Sequence, residues 1–172
     1  MLHQSDVTAV FDQPDESATQ RLGELLAPLL KPGMVIYLEG DLGAGKTTLV
    51  RALLRALGHA GPVKSPTYSL VEVYAVSSLY LYHFDFYRFE SPEEFLDAGL
   101  GEYFHDASIC LVEWPEKAGG FVPPADVRCL LEHAGDGRRA RFLGQSDGGA
   151  SWLEGLRLNC PGGGSSTSPA RP

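Results

Sequence analysis

Three cysteines are too few and too scattered to staple a fold. Cys110, Cys129 and Cys160 are odd in number and form no C-x-x-C pair, which argues against a disulfide framework or a structural zinc site. Cys110 and Cys129 lie inside apolar runs and read as small packed hydrophobes. Long apolar runs are missing too. None reaches the length that spans a bilayer, and no signal peptide opens the chain. A reducing, cytoplasmic setting without membrane contact is the expectation. Basic charge is scarce: 14 Lys and Arg stand against 22 Asp and Glu, a net charge of −8. Holding a nucleic acid alone normally needs clustered cations. The largest cluster, Arg138-Arg139 with Arg141, is small and reads as a solvated strand edge, with an anion contact left open. No internal repeat is visible.

What the chain does have is room for one α/β domain and hardly two, since 172 residues at 44% hydrophobic content can build a real core. Its most informative stretch is Gly40-Asp41-Leu42-Gly43-Ala44-Gly45-Lys46-Thr47, which satisfies G-x-x-x-x-G-K-[ST] at every required position. Val35 to Leu38 before it is a short apolar run of strand type. From Thr48 onward, Leu49, Val50, Leu53, Leu54 and Leu57 recur at helical spacing. Strand, glycine-rich turn and helix together form a phosphate cradle. Bare glycines let backbone N–H groups approach phosphate oxygens, and the helix adds its unpaired N-terminal donors. Lys46 supplies a point charge for the β- and γ-phosphates, and Thr47 a hydroxyl for Mg²⁺.

Around this unit the pattern predicts a mixed sheet. An edge strand is expected at Val7–Phe11, and a helix opens at Pro14-Asp15-Glu16, with Ala18, Leu22, Leu25, Leu26, Leu29 and Leu30 as its apolar stripe and Lys31-Pro32-Gly33 as its stop. Leu70–Val76 and Leu79–Asp85 read as strands joined so tightly that they must be antiparallel. Ser91-Pro92-Glu93-Glu94 starts one or two short helices broken at Gly99-Leu100-Gly101. Ser108–Val112 is a buried central strand. Val127–Leu131 and Ala140–Leu143 are late strands, and Ser151–Leu158 a terminal helix. Residues 1–145 are assigned to the domain. Residues 146–172 are an extension whose Gly-, Ser- and Pro-rich tail from Asn159 is expected to be disordered.

A nucleotide with Mg²⁺ needs a carboxylate at the carboxyl end of a strand beside the loop. Glu113 and Asp85 both qualify. Glu113 ends the cleaner strand and takes the metal, directly or through water. Asp85 orients the attacking water or supports the ion from behind. Thr67 lies where a hydroxyl could sense the γ-phosphate, or else steadies a turn. Trp114 is either core or a cover over the site. His83 reads as a satisfied strand histidine rather than a base. Arg88 pairs with an acid or reaches phosphate. The aromatics from Tyr68 to Tyr87 read as core and cross-strand packing, with an outward set available to a partner.

In order, G-D-L-G-A-G-K-T-T, S-P-T-Y-S-L-V, H-F-D-F-Y-R and L-V-E-W-P-E resemble the TsaE family, the bacterial P-loop ATPases of threonylcarbamoyladenosine synthesis in tRNA. The likeness runs from about Asp15 to about Arg141. It implies a single P-loop domain whose mixed sheet, a parallel core plus an antiparallel hairpin, is flanked by helices. It implies ATP hydrolysis with Mg²⁺, weak alone and raised by the TsaD and TsaB subunits, whose complex it would reset between turnovers. The chain would be monomeric by itself and would meet tRNA only through those partners. Thr47 and Glu113 would bind Mg²⁺. Leu42, Gly43, Ala44, Gly45, Lys46, Thr47 and Thr48 would wrap the phosphates. Glu16 and Gly137 match positions near the nucleotide, and Asp85, Thr67 and Trp114 match functional motifs. Two other readings compete: a small-molecule or nucleotide kinase, for which no arginine-bearing lid is evident, and a nucleotide-gated binding module whose hydrolysis is incidental.

Overall fold

The computed structural model describes residues 8–160. Its centre is a seven-stranded sheet in the order β1-β7-β6-β2-β5-β4-β3. The strands are β1 (Thr8–Gln13), β2 (Val35–Glu39), β3 (Val71–Val76), β4 (Leu79–Asp85), β5 (Ser108–Glu113), β6 (Val127–Ala134) and β7 (Gly137–Gly144). The helices are α1 (Glu16–Leu26), α2 (Lys46–Ala56), the single turn α3 (Glu94–Asp97) and α4 (Asp147–Leu158). β6, β2, β5 and β4 run parallel. β3 joins β4 antiparallel as expected. A second antiparallel flank, β7 on β6 and β1 on β7, closes the other side.

The residue types explain this arrangement. Every residue of β5 is buried, as a parallel strand covered on both faces requires. The β3–β4 turn carries Ser77 and Ser78 at positive φ (48° and 62°), the backbone that matches the twist of a two-residue hairpin. The β6–β7 turn is also two residues, Gly135-Asp136, because Ala134 pairs with Gly137. One face of the sheet packs Leu26, Leu53, Leu54, Phe142 and Trp152 under α1, α2 and α4. The other is filled by Phe84, Phe86, Phe89, Phe95 and Val112. Phe86 stacks on Phe89 with ring centroids 4.7 Å apart.

Several boundaries differ from the sequence pattern for local reasons. α1 ends at Leu26 and tightens into a 3₁₀ turn at Ala27–Leu29. Pro28 lacks the N–H that an α-turn would use, and its ring would strike the carbonyl one turn back. α2 begins at Lys46, before Thr48, because Gly45 caps it in the left-handed conformation. β3 starts at Val71, since Leu70 has φ 68° and turns its N–H back to Pro66 O at 2.8 Å. At α3 the Ser91 hydroxyl forms no cap; the Glu94 carboxylate instead ties down the preceding turn by accepting from the N–H groups of Glu90 and Ser91. Tyr74, Phe84 and Phe86 are core, but Tyr68 is 83% exposed and Tyr80 is exposed as well. Cys110 and Cys129 are free and buried, and burial pushes the Cys110 thiol up to about 11. Among the described residues no helix is long and apolar enough to cross a membrane. The expected tail disorder, from residue 161 on, lies outside the described residues, as does Val7 of the expected edge strand.

The pattern sets the domain at 1–145, yet α4 buries Trp152, Leu153 and Leu156 in the same core as α1 and α2. Ser146 caps it by accepting from Gly149 N at 3.0 Å. The Trp152 indole N–H donates to Leu29 O at 2.9 Å, just beyond α1. Trp152→Ala should therefore cost about 3–5 kcal/mol of unfolding free energy in a urea titration, as for a large buried aromatic. A loss under ~1 kcal/mol would mean that α4 contributes little to the domain.

Candidate nucleotide site

The phosphate loop leaves the carboxyl end of β2 and feeds directly into α2. Gly40, Gly43 and Gly45 have φ of 149°, 78° and 101°. At Gly40 the need is also steric, since a Cβ there would sit 2.3 Å from Leu131 O on β6. The Lys46 ammonium curls back into the loop, donating to Gly40 O and, at 3.2 Å, to Asp41 O. It lies 4.4 Å from the centroid of the Trp114 ring, over its negative face. Lys46 is only 5% exposed, so its charge is held against the loop rather than spread into solvent.

Parallel pairing brings the two acids to this loop. Asp85 ends β4 and Glu113 ends β5, and they are direct register partners. Glu113 is also level with Leu38 of β2, two residues before the loop begins. Both carboxylates thus stand at the carboxyl edge of the sheet, where open α/β folds take ligands. Glu113 is 3% exposed, and its Oε2 accepts from His83 Nε2 at 2.5 Å. Asp85 Oδ1 accepts the Tyr87 N–H at 2.9 Å, and Oδ2 accepts from the Thr67 hydroxyl at 3.4 Å. Thr67 is tied in turn to Ser65 at 2.7 Å. Burial raises the Asp85 pKa, with the Glu113 charge adding to it. The Tyr87 N–H and the charges of His83 and Lys46 oppose the rise.

A cleft of about 500 Å³ opens over the loop. It is lined by Glu16, Leu42, Gly43, Ala44, Gly45, Lys46, Thr47, Thr48, Thr67, Asp85, Glu113, Trp114 and Gly137, so the residues expected near nucleotide or metal come to one place. Trp114 is held there by a left-handed backbone, φ 56°, sparsely populated for an aromatic residue and a form of strain found at functional sites. Its ring packs against Tyr87 at 5.1 Å. Gly137 has a packing reason to be glycine: a Cβ would fall 2.4 Å from Gln13 O and 2.6 Å from Pro14 Cα. That contact draws the start of α1, and with it Glu16, to the cleft. Arg88 does not line it. Its guanidinium covers the Tyr68 ring at 4.4 Å.

Sequence reasoning missed Gln13, Asp15, Thr19, Ser65, Asp136 and Arg138 as lining residues. Gln13 is buried and accepts from the Thr19 hydroxyl at 2.8 Å. Arg138, read as a strand-edge cation with an anion contact left open, lies across the loop and donates to Gly43 O at 3.1 Å and Gly137 O at 3.1 Å. Only the β6–β7 register puts it there, and no spacing in the chain signals it. His83 carried a weak signal, because residues two apart on a strand share a face and Asp85 follows at that interval.

The donor set suits a hard divalent cation. Thr47 and Glu113 offer oxygen ligands. Among the described residues no group of three or more His, Cys, Asp or Glu could hold a metal unaided. Such a site fits an ion bound through one or two protein oxygens plus substrate phosphates. The charge balance agrees. Asp15, Glu16, Asp85, Glu113 and Asp136 face only Lys46 and Arg138 in the lining, so a polyphosphate entering it needs added positive charge.

Comparison with known proteins points one way. The family described as threonylcarbamoyl adenosine biosynthesis protein TsaE matches residues 13–141. A tRNA threonylcarbamoyladenosine biosynthesis protein TsaE from Haemophilus influenzae is 44% identical over 139 residues, covering 78% of this chain and 88% of that protein. The protein of the same description from Bacillus subtilis is 42% identical over 126 residues, covering 73% and 77%. The crystal structure of Bacillus subtilis YdiB superposes with a TM-score of 0.76 at 32% identity, covering 88% of this chain and 95% of that one.

The raised Asp85 pKa carries a sign that can be checked. A carboxyl whose folded pKa exceeds its unfolded value favours the folded state while protonated, and that contribution fades as pH rises from 3.8 through the folded value. Asp85→Asn cannot ionise. Its melting temperature should exceed wild type at pH 7.5, and the margin should shrink at pH 4. A margin that does not change with pH would contradict the burial argument.

Proposed function

The chain belongs to the TsaE family of threonylcarbamoyl adenosine biosynthesis proteins, and from that premise we propose that it is a magnesium-dependent ATPase. Its substrate is ATP. Hydrolysis drives turnover of a TsaD–TsaB threonylcarbamoyl-transfer complex in the cytoplasm, and the chain itself acts as a monomer that meets tRNA through those partners. The observation that carries this reading is the meeting in one cleft of Asp85 and Glu113, at the carboxyl ends of β4 and β5, with Lys46, the first residue of α2 after the loop that leaves β2.

The backbone N–H groups of the loop and of the first turn of α2 hold the β- and γ-phosphates, where the helix dipole favours negative charge. Lys46 leaves the carbonyls of Gly40 and Asp41 for phosphate oxygens, trading neutral acceptors for charged ones. Thr47 and Glu113 would hold Mg²⁺, which would supply positive charge to offset that of the phosphates. Asp85 accepts a hydrogen bond from the attacking water, and its burial-raised pKa makes it a better proton acceptor than an exposed aspartate. Thr67, bonded to Asp85, reports on the γ-phosphate side of the cleft. Trp114 closes one wall against Lys46, and Glu16 and Gly137 border the nucleotide on the α1 and β7 side. The acidic surface supports a division of labour in which the partners hold the tRNA.

Phosphate release by the purified chain with MgATP, alone and with TsaD and TsaB, tests the reading. Lys46→Ala and Glu113→Ala should each lower turnover about 30-fold or more, which is about 2 kcal/mol of lost transition-state stabilisation. Turnover should rise with the partner subunits and stay unchanged by any small phosphoacceptor. If Glu113→Ala stops hydrolysis while partner-dependent tRNA modification continues at full rate, the chain is a nucleotide-gated module instead.

A further inference from the structure

His83 lies in the interior of β4 and is completely buried, in a core that elsewhere takes Leu81, Phe84 and Phe86. Burying an imidazole beside a carboxylate forfeits the hydration of both groups, and an apolar side chain of similar size would avoid that cost. The ring's only hydrogen-bond partner among the described residues is Glu113, at 2.5 Å from Nε2, while Nδ1 is buried with none. An ionised carboxylate only accepts, so Nε2 carries the proton and donates. The bond occupies Glu113 Oε2 and leaves Oε1 as the oxygen available to the cleft. Two side chains on adjacent strands thus form a chain of constraint: the β4 backbone holds His83, His83 holds one oxygen of Glu113, and the other oxygen is left to the cleft.

We propose that His83 is a positioning residue that fixes the Glu113 carboxylate, through Nε2 alone, in the orientation that receives the divalent cation. This rests on the assignment of Glu113 to the metal. His83 touches neither phosphate nor ion; it removes the rotational freedom that Glu113 would otherwise have to give up when the ion arrives. Partners standing behind a metal ligand typically account for 10–100-fold in metal affinity.

The two amide replacements for histidine separate this role from simple filling of space. Glutamine places its amide nitrogen near the position of Nε2, whereas asparagine reproduces only the position of Nδ1. The measurement is the Kd of Mn²⁺ for the chain saturated with ADP, read from the free Mn²⁺ signal by electron paramagnetic resonance. Affinity for ADP without metal serves as the control for a folded cleft. His83→Gln should stay within about 3-fold of wild type, and His83→Asn should weaken Mn²⁺ about 10–100-fold with metal-free ADP affinity unchanged. Equal Mn²⁺ affinity in both variants, whether both retained or both lost, would overturn the role of Nε2. Glu113→Gln is the companion measurement. If it leaves Mn²⁺ binding unchanged, the metal assignment of Glu113 fails. If it weakens Mn²⁺ while His83→Asn does not, only the proposal for His83 fails. Should His83→Asn not fold, ¹⁵N-histidine spectra of the wild-type ADP complex decide instead. Mn²⁺ should broaden the His83 ring signals more than those of the other histidines and spare them in Glu113→Gln; uniform broadening would count against the proposal.

Discussion

Parallel hydrogen bonding of β2 to β5, and of β5 to β4, is the constraint on which the site depends. In a parallel sheet all carboxyl ends emerge at one edge, so whatever follows or ends those strands is gathered there. β2 delivers the glycine-rich loop, β5 delivers Glu113 and β4 delivers Asp85. A one-residue slip of β4 against β5 would turn Asp85 to the opposite face and separate it from Glu113. That register is secured by apolar side chains on both faces of β5, which leave no water to reward a different pairing. The antiparallel flanks do another job: they widen the sheet and bring β1 and β7 to the far wall of the cleft.

Charge is placed in this site at a desolvation cost that its neighbours offset. Asp85, Glu113, His83 and Lys46 are all nearly or wholly buried. Each has a specific compensating contact: a backbone N–H for Asp85, the imidazole for Glu113, loop carbonyls and the Trp114 face for Lys46. Such an arrangement is organised before any ligand enters, which spares reorganisation during chemistry. The strained backbone of Trp114 belongs to the same economy, since it turns the ring over the lysine immediately after Glu113 ends its strand.

Close backbone approach builds the opposite wall. A Cβ on Gly23 would come 2.6 Å from the Ala52 carbonyl carbon, so α1 and α2 cross nearly in backbone contact. Gly137 does the same between β7 and the turn into α1. Together they hold Glu16 and Thr19 of α1 near Thr48 of α2. Arg138, laid across Gly43, ties the β6–β7 hairpin to the phosphate loop.

By itself the chain determined the loop, its strand and helix, and the two strand-end acids, because each is written in local chemistry: glycines where only glycine turns, apolar periods of two or 3.6, an acid after a buried run. The hairpin of β3 and β4 was legible for the same reason, since a two-residue link permits only antiparallel pairing. Contacts that cross the chain were decided only by the tertiary structure. The antiparallel pairing of β1 with β7 joins segments more than 120 residues apart, and no local propensity encodes it. The turn of Arg138 onto Gly43, the packing of α4 on β7 and on the 3₁₀ turn after α1, and the bond from His83 to Glu113 are of the same kind. A side chain's period reveals which face of its own element it occupies. What stands opposite that face depends on how distant elements pack, and that is settled by the competition among all possible burials at once.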